Sequence, residues 1–306
     1  MKIKISMTGA GGFLGNHFTL ACSEKKILVN AIRNYKKKEQ VTNNNVIEKT
    51  IDFDREESIA NSIESSDFLI HAACIPKNIA TNNEKLSMKY GPQYTEKICR
   101  ACVESNVPLI YISSAQVYQP TSKKVGIKET SNKFSNSIYA MHKLLSEEII
   151  VSFSKQYKLD FVILRPFNII GKNLYDRNRM TIENIFISKV LKKEKIEFFT
   201  NPRNCMDFIN IKSMIDIIFL TMHNFQSTNG QILNAGSGIP TSLYQLASYI
   251  YKYKDRRLLE ATTSKDLPEE HLLADTKKMK AFLGIQPKNN LQESLNTLYD
   301  ELIIGL

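Results

Sequence analysis

The segment Thr8-Gly9-Ala10-Gly11-Gly12-Phe13-Leu14-Gly15 limits most strongly what this chain can fold into. It follows a β-rich run at 2–7 and opens a helical pattern at 13–23. Glycines at 9, 12 and 15 suit a turn with three separate demands. The first lets the chain reverse tightly, the second lets backbone approach a pyrophosphate, and the third lets the helix pack closely on the strand. A helix amino terminus adds free N–H groups and the positive end of its dipole. In this strand–turn–helix setting the segment predicts a bound dinucleotide, with Gly9, Gly12 and Gly15 around its phosphates.

The rest of the chain fits that start. Apolar runs at 27–33, 46–51, 68–71, 109–112 and 161–164 read as further strands, mostly continuous rather than alternating. Strands buried on both faces of a parallel sheet have that pattern. Helical patterns at 56–63, 93–104 and 137–157 lie between them. The order predicts a doubly wound α/β fold of the Rossmann type over 1–166, with ligands at the carboxyl ends of the strands. After Pro166 the rhythm changes to helical patterns at 182–192, 214–223, 243–253, 276–283 and 291–303 with short strands such as 231–234. Residues 167–306 read as a smaller mixed α/β lobe, woven back into the sheet and expected to hold substrate.

Composition narrows the class further. A formal net charge of +10 favours anionic partners. No apolar run approaches the ~20 residues that cross a bilayer, and the first residues lack the apolar core of a signal peptide, so a cytoplasmic setting is expected. Five cysteines in 306 residues do not make a disulfide framework. Cys99 and Cys102 fall mid-helix and read as core. The five histidines show no metal-ligand spacing, so no metal is expected. The lysine clusters lack the interleaved aromatics of single-strand nucleic-acid binders, so no nucleic acid is expected either.

The second strand speaks to the cofactor. An acidic residue about 20 positions past the glycine loop commonly binds the ribose 2′-hydroxyl of NAD. Here the strand ends Ala31-Ile32-Arg33-Asn34 with no acid until Glu39. A guanidinium there can clamp a 2′-phosphate through two donors, so Arg33 predicts NADP(H) in preference to NAD(H). Asp52, after the third strand, is placed to accept from the adenine amino group, and Asp54 reads as a helix N-cap.

Two segments carry the chemistry. Ser113-Ser114-Ala115-Gln116-Val117-Tyr118 follows a strand, and Tyr139-Ala140-Met141-His142-Lys143 opens a helix. Tyr139 and Lys143, four residues apart, share one helix face. With the glycine loop, these segments resemble the extended short-chain dehydrogenase/reductase family, also called the NAD(P)-dependent epimerase/dehydratase family. The resemblance extends over nearly the whole chain. His71-Ala72-Ala73 is similar to its HxAA, Arg165-Pro166-Phe167-Asn168 to its RPxN, Asp207-Phe208 to its DFxxV strand, and Asn234-Ala235-Gly236 and Asp275-Thr276-Lys277 to its carboxyl-terminal pattern.

That resemblance implies Ser114, Tyr139 and Lys143 as the catalytic set, with Ser113 structural. It implies that Phe13, Leu14, Phe53, Ala72, Ala73 and Pro166 line the dinucleotide, and that Gln116, Asn168 and Arg203 join Ser114 at a keto-sugar or nucleotide-sugar substrate. Homodimerisation, common in the family, is expected too. In such a site Tyr139 delivers a proton to a developing alkoxide while hydride reaches the carbon. Lys143 and the oxidised nicotinamide favour the phenolate, whose unperturbed pKa is ~10. Ser114 steadies the oxygen.

Departures from the family pattern refine the expectation. Family 4,6-dehydratases carry Asp-Glu where this chain has Ala115-Gln116, which argues against dehydration. The arginine many members carry before the DF strand is absent from Cys205-Met206-Asp207. Arg177, Arg179, Lys172 and Arg203 carry charge that could replace it. An Asn usual before the helix of Cys99 is replaced in the stretch 89–92. The chain is thus expected to be an NADP(H)-dependent reductase of a nucleotide-linked 4-keto-6-deoxy sugar, with an NAD-dependent 4-epimerase as the alternative. The intact Ser114/Tyr139/Lys143 set argues against a third reading, a non-catalytic dinucleotide sensor or scaffold.

Overall fold

Five strands buried along nearly their whole length set the architecture. In the computed structural model, which describes residues 3–33, 45–75, 80, 83–134, 137–172, 181–251, 267–287 and 291–304, these are β1 (Lys4–Thr8), β2 (Leu28–Arg33), β4 (Phe68–His71), β5 (Leu109–Ile112) and β6 (Phe161–Pro166). β3 (Val46–Thr50) is more exposed and lies at the sheet edge, and β9 (Gln231–Ala235) lies at the other. The order is β3-β2-β1-β4-β5-β6-β9, and the pairs from β3 through β6 are parallel. The doubly wound expectation holds. Winding reverses at β1, whose neighbours are β2 and β4, and at such a switch point the carboxyl ends of the strands open a crevice for ligand.

Helices cover both faces. On one, Ile59 and Ile63 of α2 (Glu56–Ile63), Ile98, Cys99 and Cys102 of α4 (Tyr94–Ser105) and Ile150 of α5 (Ile138–Tyr157) join Leu69, Leu109 and Ile163 of the sheet in one core. A short helix α3 (Glu84–Met88) and a π-helical segment (Lys89–Gln93) precede α4. On the other face, Phe18 of α1 (Phe13–Glu24) stacks on Phe219 of α7 (Ile211–His223) with ring centroids 5.2 Å apart. Inside the sheet Asn30 Nδ2 donates to Ser6 Oγ at 3.0 Å, and Ser6 Oγ lies 2.8 Å from Ser66 Oγ.

The chain separates into two compact units rather than being cut once at 166. The first contains Met1–Val117, Lys133–Arg165 and Ile215–Leu233; the second contains Tyr118–Asn132, Pro166–Met214 and Asn234–Leu306. In the second unit, β7 (Asn168–Ile170) pairs parallel and β10 (Pro240–Ser242) antiparallel with β8 (Cys205–Asn210). Residues of α6 (Ile182–Leu191), α9 (Leu243–Tyr251; α8 is Phe225–Thr228) and α11 (Leu291–Ile304; α10 is Lys277–Leu283) build its apolar core. Asp207 pins this unit, accepting from Ser237 N at 2.8 Å, Ser237 Oγ at 2.7 Å, Gly238 N at 2.8 Å and Ala274 N at 3.1 Å. Among the described residues no helix is long and apolar enough to cross a membrane, and no group of three or more His, Cys, Asp or Glu could hold a metal ion.

Candidate active site

The turn after β1 is shaped by its glycines, though not all for the same reason. Gly9 has φ +74°, and a Cβ there would lie 2.6 Å from Ala73 N. A Cβ on Gly15 would lie 2.2 Å from Gly9 O. The protein itself forbids a side chain at both. Gly12 differs in degree: a Cβ would meet only Gly9 O, at 3.3 Å, a tight contact but not the overlap seen at the other two. Gly12 caps α1 without a side-chain hydrogen bond, and the first turn holds no acidic residue. A helix terminus with no side-chain cap and no acid in its first turn suits a pyrophosphate. The residues present therefore suit a dinucleotide.

Neighbouring elements brace the turn. Thr8 Oγ1 lies 2.6 Å from His71 Nδ1 and accepts from Ala73 N at 3.4 Å, which ties Ala72 and Ala73 at the end of β4 to the end of β1. Leu14 is buried, and Phe13 makes an edge contact with His17. Phe53 turns its ring into the core, stacked on Tyr94 with centroids 4.7 Å apart. Asp52 is exposed and accepts from Asp54 N at 2.9 Å. Both line an open cleft of about 710 Å³ with Ser58, Asn61, Tyr90 and Tyr94; Ser114 and Tyr139 do not line it. Asp54 is not the N-cap expected of it. α2 begins at Glu56 behind Arg55, and Asp54 instead holds Lys89 Nζ at 2.8 Å and Tyr94 OH at 3.4 Å.

Arg33 is also differently employed. Its side chain is 5% exposed, and it donates from Nε to Glu48 Oε2 at 2.5 Å and from Nη2 to Glu48 Oε1 at 2.9 Å. The free clamp expected at the end of β2 is therefore already closed on a carboxylate from β3.

Ser114, Tyr139 and Lys143 come together at the end of β5. Ser137 caps α5, its Oγ accepting from Ala140 N at 3.1 Å, so the helix starts just before Tyr139. One turn on, buried Lys143 donates from Nζ to Ile112 O at 2.7 Å and lies 4.8 Å from the Tyr111 ring centroid. Ser114 follows that strand, accepts from Gln116 N at 3.2 Å and lies near enough to the Tyr139 phenol to lower its pKa. Burial pushes the partly buried Tyr139 phenol up to about 12, with Cys74 adding to the rise, while Lys143 and Ser114 pull it down. The downward shift expected from the lysine is real but smaller than the desolvation. Burial works against the Lys143 charge, yet Cys74, Tyr111 and Tyr139 together hold its pKa above the usual lysine value.

Two imidazoles beside this ammonium stay neutral. Burial, with Lys143 second, lowers both His71 and His142 to about 3. His142 contacts the Tyr139 ring edge at 5.0 Å and shares a 2.7 Å bond with Ser87. Ser113 is anchored from behind, its Oγ donating to Glu147 Oε1 at 2.5 Å, and Glu147 in turn accepts from Arg165 Nε at 3.0 Å and Nη2 at 2.6 Å. Sequence reasoning missed Glu147, although the spacing 139, 143, 147 continues one face of α5. It also missed His142, the neighbour of Lys143.

The remaining candidates belong to the second unit. Pro166 ends β6, and buried Tyr118 donates to Asn234 Oδ1 at 2.6 Å. Asn168 Nδ2 donates to Asp207 O at 2.9 Å, and exposed Arg203 reaches Glu269 at 3.4 Å. Arg177 and Arg179 lie outside the described residues.

The chain is similar to known proteins over nearly its whole length. The model of the NAD dependent epimerase/dehydratase family matches residues 5–236. An ADP-L-glycero-D-manno-heptose-6-epimerase of Brachyspira hyodysenteriae is 25% identical, over 90% of this chain and 91% of its own. An uncharacterized UDP-glucose epimerase of Bacillus subtilis is 24% identical, over 96% of each. Among solved structures, a UDP-N-acetylglucosamine 4-epimerase from Methanobrevibacter ruminantium superimposes with a TM-score of 0.87 at 22% identity, covering 100% of both chains. A UDP-glucuronic acid 4-epimerase from Bacillus cereus, solved with UDP-glucuronic acid and NAD, gives 0.86 at 21%, covering 99% of this chain and 100% of its own. With its glycine turn, its Tyr139/Lys143 helix and a family match over most of its length, this chain belongs to the NAD dependent epimerase/dehydratase family of extended short-chain dehydrogenases/reductases.

Proposed function

We propose that the chain is an NAD-dependent epimerase of a nucleotide-linked sugar, which oxidises one carbinol of the sugar to a ketone and reduces it again with the opposite configuration. The observation that carries this reading is the convergence of Ser114, Tyr139 and Lys143 at the end of β5, in the same unit as a glycine turn suited to a dinucleotide. Epimerase replaces the expected keto-sugar reductase for two reasons. The similar proteins described above are named as epimerases, and Arg33, the ground for expecting NADPH, is paired with Glu48.

NAD, held by the glycine turn, would supply a reversible hydride acceptor for the sugar carbon. Every proton movement falls to the chain. Tyr139 accepts the carbinol proton as the ketone forms and returns it on reduction, a role of positioned acid–base catalysis typically worth ~10²–10⁴ in rate. Its phenol, raised by burial, needs positive charge nearby to ionise at neutral pH. Lys143, buried and tied to Ile112 O, supplies one such charge and would hold the nicotinamide ribose. Ser114 donates to the oxyanion side of the same carbon–oxygen bond. Ala115 and Gln116 supply no carboxyl pair for elimination, which favours epimerisation over dehydration. Residues 167–306 would grip the nucleotide-sugar, with Asn168 and Arg203 as candidate contacts. A homodimer through α5, where Leu145 is exposed, completes the proposal; sedimentation equilibrium tests it.

The test incubates the protein and catalytic NAD+ with UDP-, ADP-, dTDP-, GDP- and CDP-linked hexoses. Proton NMR should show one sugar approaching an epimer equilibrium without net absorbance change at 340 nm. Stoichiometric NADPH consumption with a keto-sugar would establish the reductase instead.

A further inference from the structure

The end of β2 is where dinucleotide folds read the adenosine ribose, ordinarily with an acid on β2 itself. This chain has Arg33 there, and its carboxylate arrives from the next strand. β2 and β3 run parallel with Ala31 opposite Glu48 and Arg33 opposite Thr50, so Arg33 and Glu48 sit on a diagonal of the pair. That diagonal is within reach of long side chains. The resulting fork closes two parallel bonds, at 2.5 and 2.9 Å. The third guanidinium nitrogen, Nη1, is buried and has no hydrogen-bond partner. An orphaned donor on a side chain only 5% exposed is costly unless something accepts from it.

We propose that the Arg33–Glu48 pair sets cofactor choice: Glu48 cancels the charge a 2′-phosphate needs, and Arg33 keeps Nη1 for the hydroxyls of an unphosphorylated adenosine ribose. This deepens the reading of the site as an NAD site and rests on it. The 2′-phosphate brings a charge of about −1.5 to −2 and must either approach the Glu48 carboxylate or draw Arg33 away from it. The first is like-charge repulsion. The second strands a carboxylate that is itself mostly buried, with 18% of its side chain exposed. Specificity here comes from the repulsive element as much as from the attractive one.

The experiment measures NADH and NADPH dissociation constants by energy transfer from tyrosine to the bound dihydronicotinamide. It uses the wild-type chain, Glu48→Gln and the doubly neutral Arg33→Gln/Glu48→Gln. Wild type should bind NADH at least ~10-fold more tightly than NADPH. Glu48→Gln, which frees the guanidinium, should shift that ratio toward NADPH by at least ~10-fold. The double variant removes both charges, so it too should lose most of the discrimination, and it decides the matter if Glu48→Gln does not fold. A wild-type preference for NADPH, or an unchanged ratio in whichever variants fold, overturns the proposal. Epimerisation with an unaltered ratio sinks this inference alone, whereas binding of neither dinucleotide sinks it together with the proposed function.

Discussion

Replacing Glu147 with glutamine removes the charge on which two buried groups depend. Glu147 and Arg165 have side chains 2% and 1% exposed, joined by bonds of 3.0 and 2.6 Å, and Ser113 Oγ donates to the same carboxylate at 2.5 Å. Glutamine keeps the shape, but its amide nitrogen must face a donor on one side, and Arg165 loses the buried carboxylate it pairs with. Breaking a pair this deep costs about 3–5 kcal/mol, against ~0–1 for an exposed pair. At about 2–4 °C per kcal/mol for domains of 150–250 residues, the melting temperature should fall by roughly 6–20 °C. Turnover should fall as well, because Ser113 loses the contact that holds the strand end carrying Ser114. Calorimetric melts of Glu147→Gln, Arg165→Met, Glu147→Met and the Met/Met double variant close a thermodynamic cycle. The double variant should recover much of the loss, since an apolar pair of similar volume often replaces a buried ion pair at little cost. A Glu147→Gln melt within ~2 °C of wild type, or a double variant no more stable than either single one, would refute this account of the pair.

Tyr139→Phe should bind NAD with unchanged affinity in titration calorimetry but lose ~10²–10⁴ in kcat; near-normal turnover removes the phenol from the mechanism. The glycines should separate cleanly. Gly15→Ala, forced against Gly9 O, should destabilise the fold by ~1–3 kcal/mol in urea titrations, whereas Gly12→Ala, with a single 3.3 Å approach to Gly9 O, should destabilise it less yet bind NAD at least ~10-fold more weakly. Equal NAD binding by Gly12→Ala would displace the pyrophosphate from the turn. His71 and His142, held at about 3 in the folded chain against ~6.5 unfolded, make the unfolded state bind more protons between those values. Their contribution is complete above about 6.5 and is lost as pH falls toward about 3, at up to ~2.7 kcal/mol per pH unit for the pair. Unfolding at pH 5 should take up about one proton fewer in His142→Asn; equal uptake contradicts a neutral His142.

Short-range pattern in the sequence determined a good deal. The strand–glycine–helix order, the β-α alternation and the four-residue spacing of Tyr139 and Lys143 are consequences of backbone geometry within a few residues, so the parallel sheet and the catalytic face of α5 could be read directly, whereas the strand order that puts the switch point at β1 could not. Groups whose partners lie far along the chain could be decided only by the tertiary structure. Register between β2 and β3 gave Arg33 its carboxylate, and packing of the π-helical segment gave Asp54 to Lys89 and Tyr94 rather than to α2. The Tyr139 phenol went up rather than down because desolvation is a property of everything packed around a group, whereas the spacing to Lys143 reports only one of its neighbours. Local periodicity fixes which face a side chain occupies; strand register and burial fix what charge it meets there.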